Sequence, residues 1–339
     1  MPHTRTIYSG LAALDRALAS TEWQDAKYVI ILDENTFNHC LPRLIQHVGQ
    51  LQEAEFIEIP VGEEAKSPEV ALQVWQTLLE GGADRQTVVV NLGGGCVSDI
   101  GGYVAAGYMR GLRTINIPTT LLAMVDAAIG GKTAINLGGV KNVVGHFHYP
   151  SLTVVDTAFL ATLPQEELLC GTMEMVKTAA VTDAALFDKI LSSNEINKEM
   201  IVTTARIKSR IAKADPYDRG LRHILNFGHT VGHAIEMHSH LPHGIAVGIG
   251  MLAAMYLSVH KTGLDEAVYR RYGQWLREHV ELPHYTLRDI ESMLPLMHRD
   301  KKDADGEIHC VLLAELGAAI TPVTVTDNEL RDTLLKGNL

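Results

Sequence analysis

Up to about residue 160 the chain alternates short β-branched or apolar runs, at 28–32, 56–59, 87–90, 114–117 and 152–155, with segments of helical spacing. Strands that are apolar on both faces must be covered on both faces, so such runs separated by helices predict a parallel, Rossmann-like sheet between helical layers. From Pro164 onward the period lengthens, and 196–214, 221–238, 244–260 and 266–279 place apolar residues three and four apart, as on one helix face. Only 309–313 reads as a late strand, and neither an internal repeat nor a low-complexity linker interrupts the chain. The pattern predicts an α/β domain over residues 1–160 and a mainly α-helical domain over 161–339. Ligand pockets commonly form at domain junctions, so the site is expected in the cleft between the halves.

Composition narrows the class. At 339 residues, 46% hydrophobic and 20% charged, the chain has the material for two cores. A formal net charge of −11 disfavours nucleic acid and anionic membrane surfaces as partners. Cys40, Cys96, Cys170 and Cys310 are scattered without a CxxC pair, which predicts reduced packing thiols in a cytoplasmic protein. The first residues lack the apolar core of a signal peptide, and the greasiest run, 245–257, is too short and glycine-rich to span a bilayer, so a buried helix is expected there.

Candidate chemistry concentrates in a few segments. His229 and His233 are four apart and so share one helix face; His243 follows ten residues later, and Glu174 precedes Lys177 by three positions. Two histidines and a glutamate suit a divalent ion with an open coordination position, whereas a zinc protease would need glutamate where Thr230 stands. After the run ending at Leu92 come Gly93-Gly94-Gly95, Cys96 and Asp99, a strand-to-helix turn that suits a pyrophosphate on free helix amides. The spacing is not GxGxxG, so a plain tight turn stays open. Asp33 and Asn35 are placed either to reach a ribose or adenine edge or to cap a helix. Gly130-Gly131-Lys132-Thr133, Asn136, Lys141 and Asn142 put lysines and asparagines into a stretch expected to be flexible and suited to an anionic, hydroxylated ligand such as a sugar phosphate. A P-loop is set aside because Asp126 stands where its first glycine belongs. Lys208 and Arg222 flank the Asp215-Pro216 break, and Arg222, four before Asn226, is expected on the histidine face, aimed at a carboxylate; an ion pair with Glu236 or Asp218 is the plainer alternative. His238 and His240 read as surface or supporting residues.

The chain resembles the 3-dehydroquinate synthases, sugar-phosphate cyclases related to metal-dependent glycerol dehydrogenases. The resemblance runs over most of its length: Gly62-Glu63 with Lys66, Asn91 to Gly95 with Asp99, Tyr108-Met109-Arg110-Gly111, Ile117 to Leu122, Val125-Asp126 and Gly130 to Thr133. It continues through Lys141-Asn142, Glu174 with Lys177, Gly220-Leu221-Arg222, Leu225 to Thr230, Gly232 to Glu236, His243-Gly244 and Asp300-Lys301-Lys302. It implies zinc or cobalt on Glu174, His229 and His243, with His233 beside the metal as a catalytic or proton-relay residue. It implies NAD at Asp33, Asn35, Glu63, Lys66, Gly94, Gly95, Cys96, Asp99, Thr119, Thr120, Leu122, Asp126, Lys132, Lys141, Phe159, Thr162, Leu163 and Glu167. Substrate would be held by Lys132, Asn142, Lys177, Lys208, Arg222, Asn226 and Lys301 or Lys302, and Arg110 would reach the phosphate in the neighbouring subunit of a homodimer.

The implied reaction turns 3-deoxy-D-arabino-heptulosonate 7-phosphate into 3-dehydroquinate and phosphate by transient oxidation, elimination, reduction and aldol closure, with NAD regenerated each turnover. The chain departs from the family at Asp215-Pro216-Tyr217-Asp218, at Val140 and at Ile245, changes that touch loop shape and metal surroundings. Three other readings stand beside it: a cyclase making 2-deoxy-scyllo-inosose or a valiolone, a glycerol-type dehydrogenase, and an inactive binding subunit. Lys208, Arg222 and Asn226 favour a carboxylated substrate over the first of these.

Overall fold

Strands that are apolar on both faces need cover on both sides, and in the computed structural model the apolar runs fall among six strands that lie side by side. These are β1 (Arg5–Ile7), β2 (Tyr28–Asp33), β3 (Glu55–Ile59), β4 (Val88–Gly93), β5 (Arg113–Pro118) and, after the hairpin of β6 (Lys132–Leu137) and β7 (Val140–Phe147), β8 (Leu152–Val154). Their order is β1-β8-β5-β4-β2-β3 and every pairing is parallel. The structure describes residues 5–8, 10–300 and 307–336, and the chain divides into two units between residues 168 and 169. The division falls within the helix Gln165–Thr182, eight residues beyond the boundary expected from periodicity.

In the first unit the chain leaves β2 for β3 on one side and returns to β4 on the other. That reversal opens a crevice at the carboxyl ends of the strands. The helix Gly95–Gly107 lies close on the sheet because it carries glycines: a Cβ on Gly101 would stand 1.9 Å from Asn91 Oδ1. Its Ile100 and Val104 share a core cluster with Val29, Ile31 and Val89 of the sheet. The stretch around residues 118–142, expected to be flexible, takes up regular structure. It forms one π-helical turn, Ala123–Ala127, and the β6–β7 hairpin, whose Gly138 and Gly139 have φ of 60° and 78°. Two successive positive φ values make the turn that matches strand twist.

The second unit is mainly helical and includes an antiparallel pair, β9 (Ile308–Glu315) and β10 (Ala318–Val325), of which the sequence showed only the first strand. The helix expected over 221–238 is broken into a 3-10 segment, Leu221–Asn226, and a helix, His229–Ser239, with Gly228 between them at φ 79°. Helix His243–Lys261, at 19 residues, is longer than the apolar run inside it. Length therefore does not exclude a membrane span, but 72% of its apolar window is buried within the fold, as a core helix requires.

Candidate active site

The three histidines meet because two helices touch backbone to backbone. A Cβ on Gly250 would lie 2.1 Å from the Gly228 carbonyl oxygen and 2.6 Å from the Gly232 nitrogen, so His229–Ser239 and His243–Lys261 approach as only glycines permit. His229 is the first residue of one helix, His233 lies one turn on, and His243 opens the other after Pro242. Their ring centroids are 5.0, 5.5 and 5.7 Å apart, and one ring nitrogen from each falls within a span of 4.8 Å.

Glu174, on Gln165–Thr182, adds a carboxylate. Gly244 lets that helix in, since a Cβ there would sit 2.4 Å from Cys170 Cα. Glu174 Oε1 is 3.5 Å from His243 Nε2 and 3.9 Å from His229 Nε2, and among the described residues no hydrogen-bond donor satisfies it although the residue is 1% exposed. Donors about 2.1 Å from a tetrahedral ion are separated by about 3.4 Å, so these atoms are spaced as ligands of one ion rather than as hydrogen-bond partners.

Electrostatics agrees with that reading. Burial pushes the Glu174 carboxyl up, but the Lys177 ammonium and His243 outweigh it and keep the group ionised. Burial, Lys177 and the other two histidines drive His229 well below its usual value, leaving a neutral ring with a lone pair to donate. Burial also acts to lower His243, but Glu174 and Glu236 raise it to about 9, and a metal ion would take the place of that proton.

Lys177, Lys208 and Arg222 are all buried in this unit, with Lys177 paired to Glu174. Removing one member of a buried pair costs about 3–5 kcal/mol. Lys177→Met is therefore expected to lower the melting temperature of the metal-free protein, with added zinc restoring part of the loss by occupying the carboxylate; thermal unfolding with and without zinc checks this. Arg222 does not share a helix with the histidines, because Gly228 intervenes. Its position is set by Asp215, whose carboxylate accepts from the backbone N–H of Arg219 at 2.9 Å, Gly220 at 2.8 Å and Arg222 at 3.1 Å. Sequence spacing gave Asp215 no role beyond marking a break. Glu236 bonds His243 Nδ1 at 2.9 Å, a contact the ion-pair alternative for Arg222 did not foresee. His238 faces Ser292 and Asp289, while His240 is an exposed helix terminus; Asn226, half-buried, ends the 3-10 segment. Lys301 and Lys302 lie outside the described residues.

The first unit gathers a second set. Asp33 ends β2, Gly94 and Gly95 follow β4, and Thr119 and Thr120 follow β5, all at carboxyl ends of adjacent strands. Gly94 caps the helix Gly95–Gly107 without a side-chain hydrogen bond, and a Cβ on it would come within 3.0 Å of Thr120 Cγ2, so the turn is a bare cradle of amides. Lys66, buried, donates to Asp99 Oδ2 at 2.7 Å and also to Asn142 Oδ1; Glu63 accepts from Asn136 at 2.8 Å and lies 3.7 Å from Cys96 Sγ. Burial and neighbouring carboxylates push Cys96 up to about 12, so it is no nucleophile. Asn142, expected among the substrate residues, thus joins the glycine-turn network, and Asn136 belongs to it as well. Asp33 also caps the helix that follows β2, its Oδ1 accepting from Thr36 N at 2.8 Å in a capping box.

The remaining predicted residues are spread more widely. Leu122 immediately precedes the π-helical turn and Asp126 lies within it, both half-buried; Lys132 and Lys141 are exposed on the hairpin; Asn35, Thr162 and Glu167 are exposed, Leu163 half-buried and Phe159 buried in the core. Arg110 is exposed, with positive φ at Met109 (47°) and Arg110 (69°). All four cysteines are free, and Cys40, Cys170 and Cys310 are buried as packing residues.

Comparison with known proteins supplies the family. The model of "3-dehydroquinate synthase N-terminal" matches residues 56–170, and that of "3-dehydroquinate synthase C-terminal" matches residues 171–303. A 3-dehydroquinate synthase of Parabacteroides distasonis is 35% identical over 319 residues, covering 91% of this chain and 90% of that one. A solved 2-epi-5-epi-valiolone synthase from Streptomyces hygroscopicus subsp. jinggangensis, with NAD+ and Zn2+ bound, superposes at a TM-score of 0.81 and 29% identity over 100% of this chain and 97% of that one. A 2-deoxy-scyllo-inosose synthase complexed with carbaglucose-6-phosphate, NAD+ and Co2+ superposes at 0.84 with 23% identity, over 98% and 96%, and shares the fold.

Proposed function

The chain belongs to the 3-dehydroquinate synthase family, and on that premise we propose how its residues convert 3-deoxy-D-arabino-heptulosonate 7-phosphate to 3-dehydroquinate and phosphate, the lyase step that serves aromatic amino acid biosynthesis. One observation carries the reading: among the described residues, a buried glutamate oxygen without a hydrogen-bond donor stands 3.5 and 3.9 Å from two imidazole nitrogens, in a unit that also buries Lys177, Lys208 and Arg222. The first unit is the NAD-binding domain and the second the metal- and substrate-binding domain.

Glu174, His229 and His243 hold zinc or cobalt. His233, the fourth donor of the cluster, stays off the ion and takes up the proton released from the substrate hydroxyl. This assignment is preferred over a three-histidine site because the Glu174 charge, buried without a donor on Oε1, needs the cation more than a neutral ring does. When bound, NAD takes up and returns a hydride while the ion polarises the substrate hydroxyls on it. The open amides of Gly94 and Gly95 suit the cofactor's pyrophosphate, with Glu63, Lys66, Cys96, Asp99, Thr119, Thr120, Leu122, Asp126 and Lys141 around them. Asp33, Asn35, Phe159, Thr162, Leu163 and Glu167 complete that set.

Lys208, Arg222 and Asn226 take the substrate carboxylate, for which a planar guanidinium fork is suited. Lys132, Asn142, Lys177 and Lys301 hold the remaining oxygens and the phosphate. Arg110, exposed on its left-handed turn, completes the neighbouring site of a homodimer. The enzyme works in the cytoplasm.

A phosphate-release assay with the heptulosonate phosphate, run with and without NAD and zinc, tests the function. Release that needs both, with NAD acting catalytically, is expected. Stoichiometric reduction of NAD by glycerol-type alcohols, or release from hexose or heptose phosphates instead, would replace this reading with another of the superfamily. Arg222→Ala is expected to lower kcat/KM by about 10- to 100-fold, mainly through KM, since a charge-assisted hydrogen bond contributes about 1.5–3 kcal/mol. Unchanged constants in steady-state kinetics would remove Arg222 from the carboxylate site.

A further inference from the structure

His243 is held from both of its ring nitrogens. Nε2 faces Glu174 Oε1 at 3.5 Å, and Nδ1 lies 2.9 Å from Glu236 Oε2. Glu236 sits on helix His229–Ser239, seven residues after His229 and three after His233, and so on the same face as both. Its side chain is only 12% exposed. One helix therefore supplies two rings of the cluster together with the carboxylate that contacts the third ring, across the turn at Leu241 and Pro242. An imidazole that presents one nitrogen to an ion must carry its proton on the other, and a carboxylate at that proton settles both the tautomer and the tilt of the ring.

We propose that Glu236 is the positioning residue of the metal site: it accepts the Nδ1–H of His243, commits Nε2 to the ion, and strengthens that nitrogen as a donor. The inference rests on the metal assignment made above. The structure also offers Glu236 a plainer role, as a clasp joining the ends of two helices. The two roles differ in what they affect. A clasp stabilises the fold whether or not metal is bound, whereas a positioning residue changes the strength and geometry of metal binding.

The test compares the parent protein with Glu236→Ala and Glu236→Gln. Zinc affinity is measured by competition with a chromogenic chelator, the cobalt-loaded proteins are compared by visible absorption, and the metal-free proteins by thermal unfolding. Glu236→Ala is expected to bind zinc about 10- to 100-fold more weakly and to shift the cobalt spectrum. Glu236→Gln, whose amide oxygen accepts the same hydrogen bond without the charge, is expected to fall between alanine and parent. If Glu236→Ala does not fold, the near-isosteric Glu236→Gln decides alone: weakened zinc binding supports the proposal, and parental affinity overturns it. A Glu236→Ala protein that melts lower without metal yet binds zinc within about twofold of the parent is a clasp variant, and the proposal falls. Failure of the parent itself to take up zinc or cobalt would instead refute the metal assignment, and this inference with it.

Discussion

His229→Ala is expected to lower turnover by about a thousandfold or more while the protein stays folded. His229 is one of two imidazoles whose Nε2 approaches the Glu174 carboxylate, at 3.9 Å, and its neutral ring is ready to donate without losing a proton first. A catalytic ion contributes several kcal/mol of charge stabilisation in the transition state, which corresponds to three powers of ten in rate. Stability should change little, because the ring bonds only the Phe227 carbonyl, at 3.3 Å, among the hydrogen bonds described for it. Zinc content, phosphate release and thermal unfolding measured together make the test. His233→Ala is the informative companion: it should retain zinc and lose turnover. A His229→Ala protein with parental zinc content and a metal-free His233→Ala protein would move the ligand role from one ring to the other.

Gly250→Ala is expected to cost about 2 kcal/mol or more of stability and about a hundredfold in activity, though no atom of Gly250 belongs to the metal cluster. Alanine is the better helix former by about 1 kcal/mol, so local propensity predicts a stabilised helix. Tertiary packing overrides it, because the added carbon would meet the Gly228 carbonyl at 2.1 Å and the Gly232 nitrogen and Cα at 2.6 and 2.9 Å. All three are backbone atoms, which cannot swing aside as a side-chain end does. The helices must separate by roughly 1 Å, and displacements of that size cost about a hundredfold in rate when they misplace reacting groups. Gly273→Ala serves as a control: its Cβ would meet chiefly the mobile end of Arg277, at 2.9 Å, so near-parental stability is expected. Parental melting temperature and kcat in Gly250→Ala would show that the helix contact does not set the site.

The central strands of the sheet were legible because burial on both faces forces long apolar runs, and β2, β4 and β5 lie where those runs do. The hairpin was not. Seven of the eight residues of β7 are exposed, and a strand without a buried face leaves no alternation to read. The Gly138-Gly139 pair was the signal available, and its meaning depends on positive φ at both positions. The break at Gly228 was hidden for a related reason: apolar spacing continues across it, and what requires a residue without a Cβ there is a φ of 79° together with close contact with Met251 and Val247.

Local order in the sequence was enough to determine that His229 and His233 share a face, that Glu174 and Lys177 do likewise, and that a glycine turn follows β4, because such relations depend on helix and strand geometry within a few residues. The family, too, is written in the order of the motifs. Only the tertiary structure decided that Glu174 and His243 meet those rings, that Glu236 grips His243 from behind, and that Asn142 joins Lys66. Those contacts join residues far apart in the chain, and they depend on how closely helices and strands can approach. That distance is governed by the atoms a handful of glycines lack, which no spacing rule along the sequence encodes.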